Sequence, residues 1–146
     1  MSVNSNQEVV SRFVELTFVK NDLDGASRLL ADDYRIHDPS HPGGRVFEIE
    51  AWKSSQRMYI GAIPNRRWTI QRQFQDGDHV ITQWAIEGTQ TGDLPGIPAT
   101  NRPFKVEGIL ISRVENEKIA EQWQVWDTQG FLEQLNVEAR PALKAG

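Results

Sequence analysis

Apolar residues recur at helical spacing from the start of the chain. Val9, Val10, Phe13, Leu16 and Phe18-Val19 fall on one face, so residues 6–20 read as an amphipathic helix. Asn21 and Asp22 are capping types, and a second short helix is predicted through Ala26, Leu29 and Leu30. Tyr34-Arg35-Ile36-His37-Asp38 reads as a short strand stopped by Pro39, followed by a loop from Pro39 to Arg45. A third helix is expected over residues 48–60, ending at Gly61, with Trp52, Met58 and Tyr59 available to bury.

From Arg66 the period changes to two. Trp68, Ile70 and Arg72 alternate with Thr69, Gln71 and Gln73 as far as Phe74, and Asp76-Gly77-Asp78 is a hairpin turn. Val80 to Thr89 follows as a strand, then a loop from Gly92 to Arg102. Phe104 to Val114 and Lys118 to Trp126 form a second hairpin about Glu115-Asn116-Glu117, and Gln129 to Leu135 is a short amphipathic tail. Helices first and long antiparallel hairpins second predict an α+β fold with helices on one sheet face. Gly88 and Gly108 inside long strands predict a strongly curled sheet, and a curled sheet closed by helices encloses a cone-shaped cavity.

Composition narrows the function classes. At 146 residues the chain suits one domain, 1–146, large enough to bury a core and still hold a small-molecule cavity. It has no cysteine, which removes disulfides, thiolate nucleophiles and thiolate metal sites. A net charge of −4 with no run of like charges argues against a nucleic-acid surface. The segment Met1 to Gln7 lacks the basic and apolar regions of a signal peptide, and no apolar stretch approaches a membrane span. A soluble cytoplasmic protein is the expectation.

The end of the last strand is the richest chemistry. Alternation puts Glu121, Trp123, Val125 and Asp127 on one face, with Gln122, Gln124 and Trp126 on the other. If the first face borders a pocket, the Asp127 carboxylate is partly desolvated and serves as a base; otherwise it caps the helix that follows. His37-Asp38-Pro39-Ser40-His41 holds two histidines four apart, but Pro39 and Pro42 forbid the helix that zinc ligation at that spacing needs, and no third ligand stands out. No metal site is expected. His79 at its hairpin reads as exposed, and no Ser-His-Asp or lysine nucleophile arrangement can be assembled.

Several segments, in their order along the chain, carry a family resemblance. They are Tyr34-Arg35-Ile36-His37-Asp38-Pro39; Ile63-Pro64-Asn65; Asp76-Gly77-Asp78-His79-Val80; Gly88-Thr89-Gln90-Thr91-Gly92; Gly96-Ile97-Pro98-Ala99-Thr100-Asn101-Arg102; Ile111-Ser112-Arg113-Val114; Lys118-Ile119-Ala120-Glu121-Gln122-Trp123; and Asp127 with Gly130-Phe131-Leu132-Glu133-Gln134-Leu135. The chain resembles the SnoaL-like polyketide cyclases, small proteins of the NTF2-like cone-shaped α+β barrel. That resemblance implies intramolecular aldol condensation without metal or organic cofactor, with Asp127 as the acid/base at the end of the last strand. It also points the His37 ring into the cavity as a second catalytic candidate. Gln90 stands where many relatives have His, and Gly108-Ile109-Leu110-Ile111-Ser112 is nearly apolar, so a small hydrophobic or aromatic carbonyl ligand is expected.

Phe13, Trp52, Met58, Tyr59, Gln83, Ile111, Arg113 and Trp123 are the candidate substrate-binding residues. Trp52, Tyr59, Trp68, Trp84 and Trp123 offer an aromatic floor, and Trp123 is expected to border the cavity. Arg113 either supplies a cation to an enolate or pairs with Glu121. Gln83 has the parity of Ala85 and Glu87, with Trp84 opposite; which of these faces lines the cone is open at this level. An isomerase, dehydratase or epoxide hydrolase, or a non-catalytic binding module, are the alternatives on the same scaffold. Apolar residues on both strand faces (Ile81, Val106, Ile109, Leu110, Trp126) and the habit of this fold predict a symmetric homodimer.

Overall fold

The structure, a computed structural model, describes residues 5–41 and 44–137. The first helix, α1 (Asn6–Val14), opens on a capping box in which Ser5 and Glu8 satisfy each other's backbone N–H groups. It widens into a π-helical segment over Glu15–Val19. The second helix, α2 (Leu23–Ser27), starts at Asp22, whose carboxylate accepts from the Gly25 N–H. It is shorter than the periodicity predicted, because Leu30 is taken into the first strand, β1 (Leu30–His37), where it pairs with Ile119.

A two-residue strand, β2 (Val46–Phe47), follows between the expected loop and the third helix, where no element was predicted. Then come α3 (Ile49–Ala62), β3 (Arg67–Asp76), β4 (His79–Thr89), β5 (Pro103–Glu115), β6 (Lys118–Trp126) and α4 (Thr128–Gln134). The six strands form one sheet in the order β2-β1-β6-β5-β4-β3. Its pairs are antiparallel except β1 with β6, a parallel pairing that hairpin logic did not foresee. Gly77, at φ 61°, makes the β3–β4 turn, and Asn116 and Glu117, at φ 53° and 62°, make the β5–β6 turn.

Two features bend the sheet around the helices. Register slips occur at Ile70/Arg72 in β3 and at Arg113/Val114 in β5. At Gly108 an added methyl would overlap the Trp84 ring and the Trp126 Cβ, so only glycine lets those indoles cross the strand. The inner face packs Val10, Phe13, Tyr34, Trp52, Trp84, Leu110 and Ile119 into the main core. Within it, the Tyr34 hydroxyl donates to Gln122 Oε1 at 2.6 Å and Gln122 Nε2 donates to Ser112 Oγ at 2.9 Å, so these three buried side chains satisfy one another. Gln90, fully buried, bonds Gly92, Ile97 and Thr100 and holds the 92–102 loop. Among the described residues, no helix is long and apolar enough to cross a membrane.

Candidate active site

Two adjoining hollows share a wall, the first against the inner sheet face and the helices and the second reaching Val125 at the end of β6. The inner chamber is about 80 Å³, lined by Phe13, Phe18, Trp52, Trp68, Trp84, Leu110, Gln122, Gln124 and Arg66 among others. The outer vestibule is about 500 Å³ and is lined by Met58, Leu94, Pro95, Ile97, Val125, Thr128 and Leu132 among others. Asp38, His41, Tyr59, Trp126 and Phe131 border both and form the partition between them.

Asp38 is where the partition becomes chemically capable. Tyr34, Ile36 and Asp38 share one strand parity, so the pattern that buries the first two carries the carboxylate inward, leaving it 8% exposed. Its Oδ1 accepts from the Ser40 N–H at 2.9 Å and the Ser40 hydroxyl at 2.6 Å. Ser40 Oγ in turn accepts from Trp126 Nε1 at 2.9 Å. This relay fixes the carboxylate against the chamber mouth. Tyr59 comes close enough for burial, and then the Asp38 charge, to push its hydroxyl up to about 12. Tyr59 therefore stays a hydrogen-bond donor at neutral pH. His41, stacked on Phe47 with ring centroids 3.7 Å apart, closes the same wall.

The chamber above the partition is aromatic, with Trp68 stacked between Phe18 (4.3 Å) and Trp84 (5.0 Å) and Phe13 against Trp52 (5.4 Å). Gln122 and Gln124 face it from β6 and can bond oxygen but not move protons. Trp84 is 3% exposed, and its Nε1–H has no partner in the protein.

The structure divides the sequence candidates by element. Phe13, Trp52 and Tyr59 line the inner chamber and Met58 the vestibule. Gln83, Ile111, Arg113, Trp123 and His37 border neither hollow. They lie on the outer sheet face, because the inward parity belongs to Thr82 and Trp84, Leu110 and Ser112, Gln122 and Gln124, and Ile36 and Asp38. The expectation that Trp123 borders the cavity is thus corrected, as is the inward orientation of His37. His37 Nε2 sits 2.6 Å from Glu121 Oε2, its ring stacks on Trp123, and Arg113 pairs with the other Glu121 oxygen at 3.3 Å. Asp127 is exposed, lines neither hollow, and caps α4 through Gly130 N at 2.8 Å. Asp38, Gln124, Trp126 and Arg66 were not singled out in the sequence for this site. The alternation Tyr34-Ile36-Asp38 was the available signal for the first.

A curled sheet closed by helices around an aromatic chamber defines an NTF2-like α+β cone with a small-molecule site. The chain belongs to the SnoaL-like polyketide cyclase family, whose model matches residues 8–135. IdmH from Streptomyces antibioticus, a candidate polyketide cyclase, is 29% identical, with a TM-score of 0.78 over 91% of this chain and 99% of that one. A candidate polyketide cyclase from Acidithiobacillus ferrooxidans is 27% identical, with a TM-score of 0.79 over 93% and 98%. TsrD from Streptomyces laurentii is 25% identical, with a TM-score of 0.80 over 94% and 99%. Curated proteins give no match.

Proposed function

We propose that the protein is an acid/base enzyme of aldol-cyclase type acting on a small, mostly apolar carbonyl compound, with Asp38 as general base. One observation carries this: among the described residues that line the hollows, Asp38 is the carboxylate, and it sits at the partition with one oxygen anchored by Ser40. The base takes a proton alpha to a carbonyl, and the electrons pass to the carbonyl oxygen as an enolate. Tyr59 O–H and Gln124 supply donors for that oxygen in the chamber wall. The enolate carbon attacks a second carbonyl of the same molecule, a C–C bond forms, and the alkoxide recovers the proton from Asp38. No external oxidant or reductant enters this balance. Ring closure is the reaction implied by the names of IdmH and the Acidithiobacillus protein, and here it remains part of the proposal.

Asp127 keeps the N-cap role, because its carboxylate is exposed, bonded to the backbone of α4, and outside both linings although Trp126 and Thr128 on either side of it line the vestibule. His37 belongs with Glu121 on the outer face. A symmetric homodimer through that face is part of the same proposal. Strand register aligns Phe74, Ile81, Ile111, Trp123 and His37 in one row across the sheet, with Ile109 beside Val125 in the next. Phe74, Ile109 and Val125 are 59%, 43% and 58% exposed, an apolar band suited to a second copy.

The test separates proton abstraction from the unknown natural substrate. Hydrogen–deuterium exchange alpha to the carbonyl of 2-tetralone, a neutral benzo-fused cyclic ketone, is followed by NMR. The protein should accelerate it, and Asp38→Asn should remove the acceleration. Exchange that survives in Asp38→Asn and disappears in Asp127→Asn would return the role to Asp127.

A further inference from the structure

Arg66 is the other ionised group in the chamber wall, and the reaction above does not use it. It lies between the end of α3 and the start of β3, and its guanidinium sits over the Phe18 ring, 4.9 Å from the centroid. Its protein partners are neutral. One terminal nitrogen donates to Gln56 Oε1 at 3.0 Å, and the other to the Thr17 carbonyl at 3.1 Å and Asn21 Oδ1 at 3.3 Å. Thr17 lies in the π-helical segment, whose altered bonding leaves its carbonyl oxygen for Arg66. The Nε–H is buried and bonded to nothing. Among the described residues no carboxylate pairs with this cation.

A half-buried cation held by neutral dipoles is partly desolvated without compensation until a counter-charge arrives. Burial lowers the Arg66 guanidinium to about 10, so it still carries its charge at neutral pH. The geometry points to a ligand carboxylate as that counter-charge: we propose that Arg66 is an anion subsite at the inner end of the chamber, selecting carboxylic acids over neutral ligands of the same shape. A planar guanidinium whose protein partners are all neutral is suited to a carboxylate oxygen. The division of space agrees. The chamber, about 80 Å³, is smaller than the roughly 150 Å³ that an apolar cavity offers benzene, so it takes a chain and a head group. The vestibule, about 500 Å³, lies within the usual range for ligand sites and takes the ring. Such a ligand places its carboxylate at Arg66 and its middle atoms at the Asp38 partition. This subsite deepens the proposed reaction by naming the substrate class, and rests on it only for the direction of entry.

The probes are 4-phenylbutanoate and its primary amide, titrated into the full chain at neutral pH and read by tryptophan fluorescence, since Trp68 and Trp84 line the chamber. The acid should bind at least tenfold tighter than the amide, and Arg66→Gln should bring the two within twofold. Equal binding in the wild type overturns the subsite, as does a preference that survives Arg66→Gln, or no binding of either at millimolar concentration. Because Arg66 also ties the π-helical segment to β3, the glutamine variant risks misfolding. Wild-type protein carrying ¹⁵N-arginine answers without it: the protected Nε–H signal should move with the acid and stay with the amide, and a signal indifferent to the acid overturns the assignment. Tetralone exchange uses a neutral ketone, so the outcomes separate: loss of exchange with the acid preference intact removes the base and leaves the subsite standing.

Discussion

The two faces of β4, β5 and β6 carry similar residues and treat charge in opposite ways. On the outer face a single carboxylate, Glu121, gathers His37, Arg113 and Arg35, so these charges meet their opposite. On the inner side Asp38 is anchored by a serine and Arg66 by a glutamine, an asparagine and a backbone carbonyl. Paired charge on a surface is self-contained and stabilises modestly. Charge buried against neutral dipoles costs stability and is what a ligand or a reacting proton can use. That contrast supports the proposal that the inner face is the working one, although the outer face holds the more conspicuous histidine and indole.

The sharpest way to break the contrast is to neutralise one carboxylate at a time. Asp38→Asn should lower catalysed exchange by roughly 10²–10⁴, the usual worth of a general base. Asp127→Asn should leave the rate near wild type, because asparagine is itself a good cap, while Asp127→Ala should cost about 0.5–2 kcal/mol of stability. A large rate loss at Asp127 with none at Asp38 would reverse the assignment of the faces.

Helices and strands differed in how well they could be read. Helical spacing identifies a buried face directly, and Phe13, Trp52, Met58 and Tyr59, taken from helices, all line the hollows. A strand with apolar residues on both sides has two candidate faces, and period two cannot rank them. Ile109 and Ile111 are as hydrophobic as Leu110, and Trp123 as aromatic as Trp126, so the strand residues chosen from the sequence, Gln83, Ile111, Arg113 and Trp123, fell on the outer face. The decisive clues were subtler. Glu121 and Arg113 share that face and satisfy each other, whereas Gln122 and Gln124, neutral and long, suit a buried wall. The parallel pairing of β1 with β6 was beyond reach, since no turn signals it.

Inside the cone, packing rather than charge should give the next largest effects. Gly108→Ala drives a methyl into Trp84 and Trp126, an overpacking that typically costs about 1–3 kcal/mol. Because both indoles line the chamber, the same variant should weaken phenylbutanoate binding. Tyr34→Phe leaves Gln122 Oε1 buried without its 2.6 Å donor and should cost about 1–3 kcal/mol by urea unfolding. A loss as small as that of an exposed substitution would show that water or repacking replaces the bond.

On the outer face a change of equal chemical violence should leave the fold almost untouched. Ile109→Lys puts a charge in the middle of the exposed apolar band. Light scattering after gel filtration should show monomers for this variant against dimers for the wild type if the proposed interface holds, with monomer stability altered by no more than about 0.5 kcal/mol. A wild type that is monomeric at high concentration removes the homodimer.

Glu121 provides the finest test, through pH. Its carboxyl titrates below the ordinary 4.5, chiefly because His37 bonds it, with Arg113 and the charge of Arg35 adding to that and burial opposing it. A carboxyl whose folded value is depressed contributes stability above its unfolded value, and that contribution fades as pH falls through the folded one. The difference in unfolding free energy between the wild type and Glu121→Gln should therefore be largest above pH 4.5 and shrink steadily on the acid side. Subtracting the two proteins cancels the carboxyls they share, Asp38 included, so the residual slope belongs to the outer network. A difference that is flat through the acid range would mean that His37 and the two arginines do not hold Glu121 ionised, and the outer face would lose its claim to be self-contained.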